Sequence, residues 1–457
     1  MRDLAYDFVE NAYKIEWKDI PPNVADITKK FILDTLGTLL AGSTAPGCKT
    51  VVELIKGWGG KEESTILVYG GKVPAPNAAF VNSVMAHARD FDDTHDKAVL
   101  HANVSVLPAA LSAAECMGGI SGKELITAVT LGVDMMCRLG LGLKGIRNWI
   151  LSSTLGYFGA TIAVSKILGL DEEKMLNALG IVYSQVAGNI QCLTDGGLVK
   201  RMQPAFAAKA AVFSSILAEK GITGARNIFE GKHGFFITYE NGEYNREVII
   251  KNLGEHFEGI NLSMKFYPCC RATHPALDGV LEIVKKYDIK PKNVDRVFVH
   301  VTPLVCDLVG RQFEIRTSPQ VDAQFSIPYT VSTAIFKRDV FIDDFEDDRV
   351  TSNREIHKFT KRVEVIPDQR PTEKGGLVPC KVEIRTKDGK LYSKEVKIIR
   401  GDPRGEIKIQ DVIEKFIKCA KFSAKPVKTD CLEEIIKTIN NLEKIKNINE
   451  LIKLFIF

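Results

Sequence analysis

Asp295-Arg296-Val297-Phe298-Val299-His300-Val301 decides the fold class of this chain. It sets Val297, Val299 and Val301 on one face and Arg296, Phe298 and His300 on the other, the period-two pattern of a half-buried strand. Upstream the pattern is different. From Ala5 to about Glu255 apolar residues recur at threes and fours, as in Ile27 to Leu40, and glycines such as Gly42, Gly119, Gly140 and Gly221 punctuate successive helices. Small residues at Gly156, Gly159, Ala160 and Ala163 fall on expected packing faces, so helices should approach closely there. The texture changes after about Leu262. A helix from roughly Ala272 to Lys286 leads into the strand, and a second helix spans about Pro328 to Phe336. β-rich runs follow at Val363 to Ile366 and Cys380 to Ile399, the latter folded back at Lys387-Asp388-Gly389-Lys390. Helical periodicity returns beyond Gly401-Asp402-Pro403, with Val412, Ile413, Phe416 and Ile417. The expected fold is mainly α: a large all-helical domain, residues 1–262 and 404–457, with an inserted smaller α+β domain, residues 263–403.

Two domains suit a chain of 457 residues, which is long for one core. Its 61 basic and 57 acidic residues leave a net charge of +4, too weak a field to suggest nucleic acid or a membrane surface as partner. The acidic start has no apolar signal core, and the most apolar run, about Val129 to Leu143, is broken by Asp134 and Arg138. A soluble cytoplasmic protein is expected. Ten cysteines lack CxxC spacing, the only close pair being Cys269-Cys270, so no disulfide framework, zinc site or iron–sulfur site is expected. They read as buried thiols.

Chemistry concentrates at Asp90-Phe91-Asp92-Asp93-Thr94-His95-Asp96, followed by His101 and Asn103. Pro76 and Asn77 read as a helix start, and Ala79 to Ala88 gives an apolar face, so four carboxylates fall where that helix should end. The helix dipole favours cations there by roughly 0.3–1 kcal/mol per charge, so stability alone would not select them. The next helix should begin near Asn103, and the field of its N-terminus favours a neutral, proton-accepting imidazole at His101. A solvated acidic loop is the alternative. Lys200 and Arg201 precede Pro204, and Lys265, Arg271 and His274 flank the start of the helix running to Lys286. Cations beside free N–H groups at helix starts suit a small di- or tricarboxylate. Arg201 and His274 read equally well as surface residues.

At Leu33-Asp34-Thr35-Leu36-Gly37, Tyr69-Gly70-Gly71-Lys72, Asp90 to Thr94, Thr154-Leu155-Gly156, Lys200-Arg201 and Lys265-Phe266-Tyr267-Pro268-Cys269-Cys270-Arg271, the chain resembles the MmgE/PrpD family. The order is kept over nearly its whole length. That family includes 2-methylcitrate dehydratase, cis-aconitate decarboxylase and iminodisuccinate epimerase. The resemblance implies a helical domain with a smaller α+β lid, a homodimer, and an active site between the domains that includes Asp90, Thr94, His101, Lys200, Lys265 and Tyr329. The chain departs from the family at three places: Trp149-Ile150-Leu151 where members commonly carry Trp-His-Pro, Lys200-Arg201-Met202-Gln203-Pro204 in place of Lys-Arg-Leu-His-Pro, and His101-Ala102 in place of His-Pro. Ile150 moves no proton, which bears most on decarboxylation.

The expected activity is a cofactor-independent lyase, with dehydration of a 2-methylcitrate-like acid first and epimerisation or cis-aconitate decarboxylation as alternatives. His101 is the expected general base or acid, with Asp90 orienting it. Lys200 and Lys265 stabilise developing negative charge. Thr94 and Tyr329 are hydrogen-bonding groups, and Arg201, Arg271 and His274 bind substrate; no metal is expected. Tyr329 also reads as a core tyrosine, His87 as helix packing and His95 as a bystander. Two other readings compete. Asp92 to Asp96 and Asp343 to Asp347 both match the DDxxD of magnesium-diphosphate enzymes, although the second follows β-like Val340-Phe341-Ile342. A non-catalytic paralogue that only binds polycarboxylates is the other.

Overall fold

The computed structural model describes residues 2–144, 148–316, 318–368 and 376–457. It is mostly helical with a small mixed sheet, and it divides into two compact units, residues 1–263 with 408–457, and residues 264–407.

In the first unit the helices Asn103–Cys116, Gly122–Gly142, Gly156–Ile167 and Gln203–Glu219 form the interior, and most of their residues are buried. Glycines set their spacing. A Cβ on Gly159 would lie 2.4 Å from the Gly132 carbonyl oxygen, and one on Gly132 would lie 2.6 Å from that of Gly159, so these helices touch backbone to backbone. Likewise a Cβ on Gly42 would sit 1.8 Å from the Met85 oxygen, where the helix Pro22–Gly42 crosses the helix Ala75–His87. The expectation of an all-helical domain needs one correction. Ser64–Thr65 and Lys72–Val73 pair antiparallel across a turn in which Gly70 and Gly71 take φ values of 65° and 82°.

Gly122–Gly142 is the one described helix long and apolar enough to cross a membrane, and 94% of its most apolar window is buried inside the protein. The two charges in its interior, Asp134 and Arg138, explain how that works. Arg138 Nε donates to Asp134 at 2.7 Å one turn away, and its guanidinium also donates to the carbonyls of Ile249, Lys251, Asn252 and His256. A buried charge persists only when so satisfied.

The C-terminal helix Ile409–Ala420 packs on Pro22–Gly42. A Cβ on Gly37 would meet the Phe416 ring at 3.1 Å, and Lys415 Nζ reaches Asp34 Oδ1 at 2.6 Å and the Phe91 carbonyl at 2.8 Å. Asp34 and Gly37 of the Leu33 to Gly37 motif thus meet a segment near the other end of the chain.

In the second unit the strands run in the order Val363–Pro367, Val294–Val301, Cys380–Thr386, Leu391–Val396. The first pair is parallel and the other two antiparallel, with Val299 opposite Val365 and Val382. Val294, Val297, Val299 and Val301 are buried, and the helix His274–Lys286 covers the sheet so closely that a Cβ on Gly279 would lie 2.8 Å from Val382. All ten cysteines are thiols, and six of them are buried.

Candidate active site

The site begins where the helix Ala75–His87 stops. The chain reverses through Asp90, whose φ of 52° is left-handed, a conformation Asp tolerates better than most residues. The reversal returns Asp92 to the His87 ring, whose Nδ1–H donates to both carboxylate oxygens at 3.0 and 3.1 Å. Asp93 points elsewhere. Its carboxylate accepts the N–H groups of Ala102 and Asn103 at 3.1 and 3.3 Å, satisfying the first donors of the helix Asn103–Cys116 from a distant loop.

His101 is held just ahead of that helix. Its N–H donates to Ser152 Oγ at 2.9 Å. Its ring Nδ1 lies 2.6 Å from the Asp93 carbonyl oxygen and 3.0 Å from Asp92 Oδ2. Both neighbours are acceptors, so Nδ1 carries the proton and Nε2 the lone pair. Among the described residues Nε2 has no hydrogen-bond partner, and the side chain keeps 19% of its surface exposed, enough to be reached.

Lys200 arrives from the short turn Leu198–Met202, its Nζ donating to Asp90 Oδ1 at 2.8 Å and to His87 Nε2 at 3.3 Å. Burial pushes His87 down to about 4, so at neutral pH the ring is uncharged and its Nε2 accepts from the ammonium. Burial also works against the charge on Asp92, but His87 and His101 outweigh it and hold the carboxyl well below its ordinary range. Burial, aided by the charge of Asp92, lifts Asp93 to about 6. A continuous chain of contacts therefore runs Asp90, Lys200, His87, Asp92, His101.

His87, Asp92 and His101 also place possible ligand atoms within 4.8 Å of one another. Both Nδ1 atoms are protonated toward Asp92, and an ammonium lies against His87 Nε2, so a cation there would have to displace two protons beside a positive charge. The donor set fits a hydrogen-bonded array better than a metal.

Several sequence expectations are corrected by this geometry. The acidic stretch is no solvated loop, because Asp92 and Asp93 are fully buried. Asp92 and the Asp93 carbonyl orient His101, whereas Asp90 pairs with Lys200. His87 belongs to the array as well as to helix packing. Arg201 and His274 are buried, not surface cations. Tyr329 lies in the core of the second unit, packed on Phe313 and Phe345, and its hydroxyl donates to the Asp344 carbonyl at 2.7 Å, as the core-tyrosine reading expects. Thr94 and Ser263 exchange backbone hydrogen bonds at 2.9 and 2.7 Å, which anchors the end of the acidic stretch. His95 Nδ1 accepts the Ala98 N–H in the same turn.

In the second unit Lys265 is buried, and Arg271 donates to the Arg400 carbonyl at 3.1 Å and to His274 Nδ1 at 3.3 Å. The second DDxxD match is structural: Asp344 pairs with Lys337 and accepts the Phe341 N–H, while Asp347 accepts that of Gln320. Gln203, at a position where the family commonly has histidine, binds both the N–H and the carbonyl of Asn189 at 2.8 and 3.0 Å and so clamps that loop. Lys415 and Ser152 escaped sequence reading, and Asp92 was in view only as one of four neighbouring carboxylates. The five-residue interval from His87 to Asp92 signals a link only once a left-handed turn at Asp90 is known.

The helical body thus carries an aspartate-supported imidazole at the end of an acidic turn. The MmgE/PrpD N-terminal domain matches residues 7–247 and the MmgE/PrpD C-terminal domain residues 267–441, and the chain belongs to the MmgE/PrpD family. Similar curated proteins include a cis-aconitate decarboxylase-like protein of Aspergillus oryzae, 25% identical over 95% of this chain and 94% of its own. The cis-aconitate decarboxylase of Aspergillus terreus is 24% identical over 95% and 92% of the two chains, and that of Mus musculus 26% identical over 99% and 93%.

Proposed function

We propose that this protein is a cofactor-independent lyase that moves a proton at a carbon beside a carboxylate in a small di- or tricarboxylate. The observation that carries the reading is the fixed tautomer of His101, which leaves Nε2 as an unengaged base, with the cation Lys200 joined to the same array through His87. In dehydration of a 2-methylcitrate-like acid, Nε2 takes the proton from carbon, the C–H electron pair becomes the C=C bond, and hydroxide leaves, receiving the proton back from the imidazolium as water. One imidazole suffices for that cycle, which agrees with Ile150 standing where the family commonly has a second.

A second reading is favoured by the names of the similar proteins. In decarboxylation of cis-aconitate the C–C bond breaks, carbon dioxide leaves, and the electron pair takes a proton from a His101 that starts as the imidazolium. The two readings differ in sign with pH. Dehydration draws on the neutral imidazole and gains rate as pH rises, whereas decarboxylation draws on the imidazolium and loses it. Incubating the protein in D₂O with citrate, 2-methylcitrate, cis-aconitate and iminodisuccinate, and following deuterium uptake and products by NMR, tests both. Uptake into at least one acid is expected. If no acid exchanges while polycarboxylates still raise the melting temperature, the protein only binds them and the enzymatic reading falls.

The same proposal includes a cytoplasmic location, a role for residues 264–407 as a lid, and Lys265 as a second charge-neutralising cation, all resting on the family. It also includes a homodimer. Phe206 and Phe213, seven residues apart on one helix face, are 42% and 48% exposed, and Trp58 is 61% exposed with Lys209 Nζ 5.9 Å over its ring. An apolar patch of this kind on a soluble surface marks an association site. Sedimentation should show a dimer that Phe206→Asp with Phe213→Asp converts to monomer; a wild-type monomer at micromolar concentration would remove the dimer from the proposal.

A further inference from the structure

We propose that Asp92 and His87 are positioning residues for His101, forming with Lys200 a buried array that stays fixed while His101 alone exchanges protons. The proposal rests on the acid–base reading above and extends it to two residues that never touch substrate.

Asp92 Oδ2 is 3.0 Å from the Nδ1 atoms of both His87 and His101, and the two rings lie 5.1 Å apart, tilted by 59°. One carboxylate oxygen therefore faces two N–H donors. If Asp92 were neutral, its own proton would have to displace one of them, so the ionised form is the one the geometry accommodates. His87 has its Nδ1–H directed at Asp92 and its Nε2 facing Lys200 at 3.3 Å, so both ring nitrogens are engaged and neither is available to substrate. Charged groups that face this array include Asp90, which pairs with Lys200, and Asp93, which holds the N–H groups ahead of Asn103 and feels the charge of Asp34.

This arrangement does two things. It fixes the tautomer of His101, keeping the lone pair on Nε2, and it sets a negative charge against the imidazolium that forms when Nε2 takes a proton. During that step the substrate C–H bond breaks, an Nε2–H bond forms, and the electron pair stays with the substrate. No proton passes through Asp92 or His87. His87 acts as a neutral spacer that ties the direction of the Lys200 ammonium to the carboxylate behind His101, so one rigid turn positions both the base and the cation.

The test compares wild type with Asp92→Asn and His87→Asn in the full chain. Asn at position 92 keeps the shape and one acceptor but removes the charge. Asn at position 87 keeps a donor toward Asp92 while giving up the contact with Lys200. Imidazole ¹⁵N NMR of wild type should show His101 as the Nδ1–H form, and Asp92→Asn should convert it to a mixture. With whichever of the four acids exchanges, Asp92→Asn is expected to lower kcat about 10³- to 10⁴-fold with KM within about threefold. His87→Asn should lower kcat about tenfold and leave the tautomer of His101 in place. A wild-type His101 protonated on Nε2 overturns the proposal by itself, whether or not the variants fold. So does an Asp92→Asn protein whose kcat stays within threefold. If wild type shows the Nδ1–H form yet exchanges none of the acids, the enzymatic reading fails and the positioning geometry stands.

Discussion

His101→Ala is expected to abolish deuterium uptake into substrate, by at least 10²- to 10⁴-fold, the range attributed to a positioned general acid or base. The fold should survive, because what holds the chain at this point is backbone. The His101 N–H bond to Ser152 and the Asp93 bonds to Ala102 and Asn103 all remain when the ring is removed. The Nδ1 bond to the Asp93 carbonyl, the contact with Asp92 and the ring contact with His87 are lost, at a cost of about 1.5–3 kcal/mol, the range for a hydrogen bond to a charged group. The measurement pairs the D₂O exchange assay with a thermal melt of the same sample. Exchange retained within tenfold in a protein that melts like wild type would remove His101 from the chemistry and with it the proposed mechanism.

Lys415→Met is expected to destabilise the first unit by about 3–5 kcal/mol, the typical cost of stripping one partner from a buried ion pair. Lys415 is 4% exposed and Asp34 1%. The ammonium is 2.6 Å from Asp34 Oδ1, donates to the Phe91 carbonyl at 2.8 Å and lies 3.9 Å over the Phe91 ring. Removing it takes the cation from a buried carboxylate and releases the residue immediately before Asp92, so exchange activity should fall together with stability. The double variant Asp34→Leu with Lys415→Met should recover most of the loss, since an uncharged pair has no desolvation penalty to offset. Trp17, Trp58 and Trp149 all belong to the first unit, so tryptophan fluorescence during urea unfolding reports on it alone. A loss below 1 kcal/mol for Lys415→Met would mean that the pair contributes little and that Phe91 is held by other contacts.

Both predictions concern residues whose importance differs in how far the sequence exposed it. Periodicity alone located the helices that matter. The apolar face from Ala79 to Ala88 became the helix Ala75–His87, the start near Asn103 became Asn103–Cys116, and the Lys387 to Lys390 turn joins the strands Cys380–Thr386 and Leu391–Val396. Small residues at Gly156 and Gly159 marked a close approach, because only a missing Cβ lets one backbone touch another. These signals are local, and a window of ten or so residues contains them.

The site residues are a different matter. His101 and Lys200 were candidates from residue type and position, and each has a place in the array around Asp92 and His87. Asp92 was in view as one of four neighbouring carboxylates, but choosing between Asp90 and Asp92 depends on a single left-handed φ at Asp90, which sequence does not specify. Tyr329 looked chemical by resemblance and is occupied by the Asp344 carbonyl. Arg201 read equally well as a substrate-binding or a surface cation and is buried.

The sequence by itself determined the family, the helical body, the strand-bearing insertion and the acidic turn, because periodicity and short motifs are written in consecutive residues. Only the tertiary structure decided which carboxylate faces the imidazole, which ring nitrogen keeps its lone pair, and that Lys415 from the far end of the chain secures Phe91. Hydrogen-bond partners and burial set charge and tautomer, and both are properties of groups brought together across the chain, which no stretch of it contains.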